Sequence, residues 1–458
     1  MNKAYHFPEQ FKTCSSRTHE FEGVPLEVPN LTTEHITTIF NTLRENQKHY
    51  LANIPVRKII KIIDSACKNW LNPEYKLRKI TRELLPSLCR YSPAMIDYGI
   101  PLMLRNFSEE NLLAVLKREL LYPDVLDGFV KDSLGRYRAY GPSVVTHVCA
   151  GNIPGVSISS IIYALLAKSA NFVKASFGDP LFPVLFVQSL AEVEPEIGKC
   201  CAVCWWNRDE VSLTEIALKK SDLVVAYGTD DTIKNIKEKT SCGFIGYGNK
   251  VSFGVIARES LKNYKRLAQG VAQDVAIFDQ QGCLSPHLYY VETEGEIFPQ
   301  EFAAQVAIAL EEIQKSIPPS SLTIGDAAEI HQLRGSVEFQ KISGKPMQLW
   351  TSPKGIQWTV LYEEDPTFRL SCLNRVVWIK PVTNIETIPK LLESWKPYLQ
   401  TVGVSIPEKR LIPFAEEMGR LGVNRFCPIG KMQSPGPGWH HDGLPSISQF
   451  LRWVDIED

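Results

Sequence analysis

SVVTHVCAG at residues 143–151, NFVKAS at 171–176, CCAVCWW at 200–206 and DLVVAYG at 222–228 are short β-rich runs separated by segments of helical pattern. Such alternation predicts right-handed crossovers and a parallel, doubly wound α/β sheet. Sheets of this kind bind ligands outside the carboxyl ends of their strands. Those ends fall at AGNIPG (150–155), KASFGDP (174–180) and YGTDD (227–231), so three strand ends are expected to converge on one place.

Outward from this stretch, KVSFGVIA (250–257) opens a second α/β unit, with a helix over 262–276 and then DQQGCLSPH (279–287). Upstream, from about Leu31 to Leu121, apolar residues return every three or four positions, as at Ile36, Ile39, Phe40 and Leu43. That is the period of helices packed by one face. In FSEENLLAVLKREL (107–120) the Ser108 hydroxyl can cap the first turn, and Glu109 and Glu110 suit the positive end of the helix dipole. The expected organisation is a helical N-terminal region plus a Rossmann-like cofactor-binding domain over 1–249 and a catalytic domain over 250–421. A Gly- and Pro-rich segment over 422–458 is expected to pack back near the cleft. The N-terminal helical layer reads as structural.

With 458 residues the chain can bury more than one core. Its 50 basic and 51 acidic side chains nearly cancel, which argues against nucleic acid or an anionic membrane surface as partner. The odd count of 11 cysteines, scattered apart from Cys200, Cys201 and Cys204, suits free thiols in a reducing cytoplasm. No stretch approaches the ~20 apolar residues of a membrane-spanning helix. IPGVSISSIIYALLAK (153–168) is short, carries serines, and suits a buried helix.

The G-x-G-x-x-G fingerprint, the phosphate loop and the G-x-S-x-G elbow are all absent. Cysteine is left as the obvious nucleophile. Cys283 follows a glycine between a helix and a strand, where backbone N–H groups can lower a thiol pKa and stabilise an oxyanion; a buried cysteine without chemical role is the alternative. Asn152 offers a neutral N–H donor at a strand end, or serves as a turn residue before Pro154. Cys201 and Cys204 form a C-x-x-C without a second pair at metal spacing and read as core cysteines. His287 reads as a surface histidine. His440, His441 and Asp442 form either a proton relay or a capped turn.

HVCAGNIPG (147–155), KSANFVKAS (168–176), YGNKVSF (247–253), DQQGCLSPH, MQSPGPGWHHDG (432–443) and FLRWV (450–454) together, and in this order, resemble a known family. It is the aldehyde dehydrogenase superfamily and, within it, the LuxC-type acyl-CoA reductases that supply fatty aldehyde to bacterial luciferase. The resemblance runs from about Tyr140 to the C-terminus. It implies an aldehyde dehydrogenase-like fold of two doubly wound α/β domains, with Cys283 as nucleophile and Asn152 helping to hold the oxyanion. It places Lys174 and Ser176 at the cofactor, Lys174 on the adenosine ribose, and Gly228 and Thr229 beside the cofactor phosphates, with no metal. NAD-preferring relatives often carry a glutamate three residues after the lysine; Phe177 stands there, which favours NADPH. Hydrolytic relatives carry a water-activating glutamate four residues before the lysine matched by Lys250; Gly246 stands there. The glutamate that grips the nicotinamide ribose has no clear counterpart near SCLNRVVW (371–378).

The function expected from this resemblance is NADPH-dependent reduction of a fatty acyl-CoA to a fatty aldehyde through an acyl-cysteine, with release of CoA. The donor is acyl-CoA or an acyl-protein thioester; a homo-oligomer and an acyl-protein synthetase partner are also expected. The competing readings are an NAD(P)-dependent aldehyde dehydrogenase of another substrate class, a cysteine acyltransferase without redox activity, and a non-catalytic subunit.

Overall fold

In the computed structural model, which describes residues 2–11 and 14–457, the chain divides into two compact units. The first comprises Met1–Cys89, Ile100–Gly248 and Gly436–Asp458, and the second Arg90–Gly99 and Asn249–Pro435.

The first unit opens with an antiparallel hairpin, β1 (Ser16–Phe21) and β2 (Val24–Pro29). Nothing in the helical reading of the N-terminal region anticipated it, because its pattern occupies only two short runs before the first apolar helix. The helix Thr33–Asn46 buries Ile36, Ile39, Phe40 and Leu43, as their spacing requires, and Thr32 caps it. Arg44 in its last turn ties it to the sheet through both carboxylate oxygens of Asp222, at 2.5 and 2.9 Å. Ser108 caps the helix Glu109–Leu120 by accepting from the Asn111 amide at 3.3 Å.

Two short strands, β3 (Val130–Asp132) and β4 (Gly135–Tyr140), lead into the central parallel sheet. Its members are β5 (Val144–Val148), β6 (Ala170–Lys174), β7 (Cys201–Cys204), β8 (Leu223–Tyr227) and β9 (Gly243–Tyr247). They lie in the order β7-β6-β5-β8-β9. The sheet therefore grows outward from β5 in both directions, and the change of direction at β5 leaves the crevice in which such folds bind ligands. The inner strands are buried on both faces, which explains their continuous apolar character. His147 inside β5 bonds Ser160 Oγ at 2.9 Å and Asn171 Oδ1 at 2.7 Å, and burial draws its pKa down to about 4. It is a neutral core residue.

The second unit is built on seven strands: β10 (Val251–Ile256), β11 (Pro286–Glu292), β12 (Met347–Thr351), β13 (Thr359–Glu363), β14 (Val376–Val382), β15 (Leu399–Ser405) and β16 (Arg425–Pro428). Their order is β12-β13-β14-β11-β10-β15-β16, parallel throughout except for β12. Alternate residues feed separate cores. Tyr289, Val291, Val377 and Ile379 pack with the helices Tyr264–Ala276 and Pro299–Ile313, whereas Leu288, Tyr290, Val376 and Trp378 pack with Ile324–Ile342 and Glu408–Arg420.

The segment 422–458, read as one piece from sequence, is shared between the units. Residues up to Pro435 belong to the second, and from Gly436 the chain belongs to the first, where Arg452–Ile456 pairs antiparallel with β4. The Glu119 carboxylate fixes this return by accepting from the amides of Ser446, Ile447 and Ser448 at 2.6–3.0 Å. Among the described residues no helix is long and apolar enough to cross a membrane.

Candidate active site

Cys283 lies between the helix Tyr264–Ala276 and the amino end of β11, on a turn that the surrounding residues define closely. The approach to it is unusual: Phe278, Asp279 and Gln280 all have positive φ, at 53°, 46° and 62°. A left-handed conformation costs an L-residue about 1–2 kcal/mol, so three in succession need strong external contacts. The opposing segment is of the same kind, with Leu373, Asn374 and Arg375 at 62°, 54° and 61°. The two left-handed turns interlock. Asp279 receives Arg375 Nε at 2.5 Å and the Ser320 amide at 2.9 Å, and its carbonyl accepts from the Asn374 amide at 2.9 Å. Gln280 Nε2 donates to the carbonyls of Pro286 (2.8 Å) and Val376 (2.9 Å), and Gln281 Nε2 donates to Asn374 Oδ1 at 2.9 Å.

The segment 90–99 supports the same place. Met95 Sδ accepts from the Phe278 amide at 3.2 Å, and a Cβ on Gly99 would stand 2.5 Å from the Phe278 ring. Part of the N-terminal helical region thus braces the cysteine turn, a role its sequence did not reveal because helical periodicity reports only that a face is buried.

Around Cys283 itself, Ser252 Oγ on β10 donates to its carbonyl at 2.7 Å, and Gln433 Nε2 donates to Ser285 Oγ at 2.7 Å. Cys283 as a whole residue is partly exposed. Arg425 on β16 is buried, with its guanidinium held by the carbonyls of Met432 (2.7 Å) and Lys431 (2.8 Å). Burial lowers its pKa, while interaction with Cys427, Asp274 and Cys283 opposes that shift. Sequence reading missed Ser252, Arg425 and Gln433; Ser252 lies in KVSFGVIA and Gln433 in MQSPGPGWHHDG without being singled out there, and Arg425 lies in neither.

In the first unit the other candidates gather at the carboxyl ends of adjacent strands. Asn152 is exposed in the loop after β5, Lys174 ends β6, Ser176 follows it, and Gly228 and Thr229 follow β8. The loops after β5 and β6 nearly touch. A Cβ on Gly151 would lie 2.6 Å from Ser176 Oγ and 2.9 Å from Gly178 Cα, so only glycine fits. Asp179 clamps the two loops by accepting from the amides of Gly155 (3.0 Å) and Phe182 (3.1 Å), and burial raises its pKa to about 7. Lys174 Nζ stands 5.2 Å from the Trp206 ring centre, and burial lowers its pKa. Thr229 caps the helix Asp230–Glu238 by accepting from the Thr232 amide, with Asp230 and Asp231 in the first turn. Those two carboxylates oppose an anion placed on the helix axis.

Gly246 on β9 is crowded: a Cβ there would lie 2.7 Å from both Ile233 Cγ2 and Phe244 Cε1. Cys201 and Cys204 are buried within β7, and no cluster of metal-ligating residues occurs among the described residues. His441 stacks on Tyr247 at 4.3 Å and lies 4.8 Å from Trp439, a packed turn. His287 is less exposed than a surface residue: its Nδ1 accepts from the Ser371 amide at 3.1 Å, and burial draws its pKa to about 4.

Solved structures share this architecture at low sequence identity. The P. syringae indole-3-acetaldehyde dehydrogenase in complex with NAD+ and IAA superposes with a TM-score of 0.78 at 12% identity, covering 100% of this chain and 97% of the other. The NADP-dependent glyceraldehyde-3-phosphate dehydrogenase of Bacillus halodurans, complexed with NADP, gives 0.71 at 14% identity over 100% and 99%. The expected aldehyde dehydrogenase-like α/β fold is therefore the fold of this chain. Among sequence relatives, the long-chain acyl-protein thioester reductase of Aliivibrio fischeri is 25% identical over 88% of this chain and 83% of its own length. That of Vibrio harveyi is 24% identical over 95% and 89%. The family model described as acyl-CoA reductase (LuxC) matches residues 51–453, and the chain belongs to that enzyme family.

Proposed function

We infer that this chain reduces a fatty acyl-CoA to the fatty aldehyde with NADPH, through a thioester on Cys283. The observation that carries the reading is the cysteine turn itself: two interlocked left-handed segments and a carbonyl pinned by Ser252. Strain of this kind collects where geometry serves chemistry.

In the proposed reaction the Cys283 thiolate adds to the thioester carbonyl, the oxyanion is held by the Asn152 amide and a backbone N–H, and its collapse expels CoA, which takes up a proton. NADPH would supply a hydride to the resulting acyl carbon. The tetrahedral oxyanion then collapses to aldehyde and returns the Cys283 thiolate, so one acyl-CoA, one NADPH and one proton give one aldehyde, CoA and NADP+.

The first unit fits such a cofactor. The loops after β5 and β6 approach closely at Gly151 and Gly178, where a dinucleotide could lie against bare backbone, and Lys174 at the end of β6 is suited to a ribose hydroxyl. Gly228 and Thr229 would meet the cofactor through the edge of their turn, since Asp230 and Asp231 occupy the helix mouth. The long-chain acyl-protein thioester reductases among the relatives support a fatty acyl donor and leave an acyl-protein as an alternative carrier. Against the hydrolytic alternative, Gly246 has no room for the water-activating carboxylate in this packing. NADPH oxidation measured across acyl-CoA chain lengths, with the aldehyde identified by mass spectrometry, tests the proposal. Release of free acid in place of aldehyde would overturn it.

A further inference from the structure

The hairpin at the start of the first unit has two chemically different faces. Strand periodicity puts Arg17, His19 and Phe21 of β1 on one side and Ser16, Thr18 and Glu20 on the other. The pairing register continues the first face into Val24, Leu26 and Val28 of β2. Phe21, Leu26 and Val28 are fully buried and fix that face against the unit, while His19 is half-buried and Arg17 exposed at its rim.

What the face packs against gives it a meaning. The His19 ring centre is 4.6 Å from that of Trp205 and 6.4 Å from that of Phe177, and Phe21 lies 4.8 and 5.3 Å from the same two. Trp205 directly follows β7 and Phe177 follows β6, so the hairpin is seated at the carboxyl ends of two adjacent parallel strands. In doubly wound sheets the end of the second strand addresses the 2′ position of the adenosine ribose. Counting outward from β5, that strand is β6. Phe177 is 46% exposed, so the hairpin leaves part of its ring open.

Charge is sorted in the same sense. The carboxylate of Glu27 is directed away, accepting from Tyr5 and Ser16 at 2.7 Å on the opposite face, which Glu20 shares. Arg17 spends one contact on Asn30 Oδ1, at 2.9 Å. A guanidinium has five N–H donors in all. Two residues along a strand are about 7 Å apart, within the span of an arginine side chain.

We propose that Arg17 and His19 of this hairpin bind the 2′-phosphate of NADPH and set the cofactor preference. The assignment rests on the NADPH reading above and adds to it an element that lies outside the sheet. Phe177 removes a repulsive carboxylate, and the hairpin supplies the positive partner.

Calorimetric titration of the full chain with 2′,5′-ADP and with 5′-AMP isolates the phosphate from the redox chemistry. The wild type should favour 2′,5′-ADP. Arg17→Met, at an exposed position, and His19→Phe, which keeps the aromatic packing, should each lower that preference roughly 10-fold or more, as expected for loss of a hydrogen bond to a charged group, with 5′-AMP affinity unchanged. Equal binding of the two nucleotides by the wild type would overturn the NADPH reading and this one together. A preference retained in both variants, or equal weakening of both nucleotides, would overturn the hairpin assignment alone.

Discussion

Replacing Asp279 by Asn tests the structure at the point where it holds Cys283 in place. Asp279 and Arg375 are each 1% exposed, and their ion pair joins the two left-handed turns. Removing one partner of a buried pair costs about 3–5 kcal/mol, because the other charge stays buried without compensation. A cavity of about 240 Å³ is lined by Asp279, Ser320 and Asn374 and gives water some access, which places the loss near the lower end, roughly 3 kcal/mol. For a unit of this size that corresponds to a Tm lower by roughly 6–12 °C. Asn keeps the shape and can still accept from the Ser320 amide, so the loss measures charge more than packing. Adding Arg375→Met should recover much of it, since the pair is then replaced as a whole. Calorimetry gives the transitions of the wild type, both single variants and the double variant, and the rate of iodoacetamide modification of Cys283 reports the state of the turn. Asp279→Asn should also alter that rate, four residues from the substitution. Single-variant losses below about 1 kcal/mol, or strictly additive ones, would refute the view that this ion pair holds the strained turns together.

Cys283→Ala should abolish aldehyde formation while NADPH binding stays nearly unchanged; label from acyl-CoA still accumulating on the variant would rule out Cys283 as nucleophile. Phe177→Glu should weaken NADPH more than NADH, which paired titrations would show. Enzyme acylated at Cys283 should release free acid slowly but return acyl-CoA promptly when CoA is added, since general-base help worth ~10²–10⁴-fold is missing at Gly246; rapid hydrolysis indifferent to CoA would count against the reductase reading. The Asp179 carboxyl, raised by burial from 3.8 to about 7, contributes stability that is fully present below pH 4 and is lost as the pH rises through 7. Thermal unfolding should therefore show the wild type losing stability between about pH 4 and 7 relative to Asp179→Asn, and parallel pH profiles would contradict the assignment.

The parallel sheet of the first unit was legible because a strand buried on both faces must be continuously apolar, and β5 through β8 carry that pattern in the chain itself. The helix Thr33–Asn46 and the Ser108 cap were legible for a similar reason: both depend on residues within four positions of one another. Cys283 could be singled out by its motif and by resemblance, as could Asn152, Lys174 and Gly228, because a motif is a local object. What braces the cysteine could not. Asp279 finds Arg375 across 96 positions, Ser285 finds Gln433 across 148, and Met95 meets Phe278 across 183. No periodicity encodes such pairings, and the left-handed turns they hold are conformations that Phe and Gln rarely adopt by local preference. The hairpin over 16–29 shows the same limit. Its residues fix a two-faced strand, but only packing against Trp205 and Phe177 decides that His19 and Phe21 stand beside the ends of β6 and β7. Sequence determined most of the segments that become strands and helices and singled out Cys283 by its motif; tertiary structure decided what surrounds it, because those contacts are made between residues that only folding brings within reach.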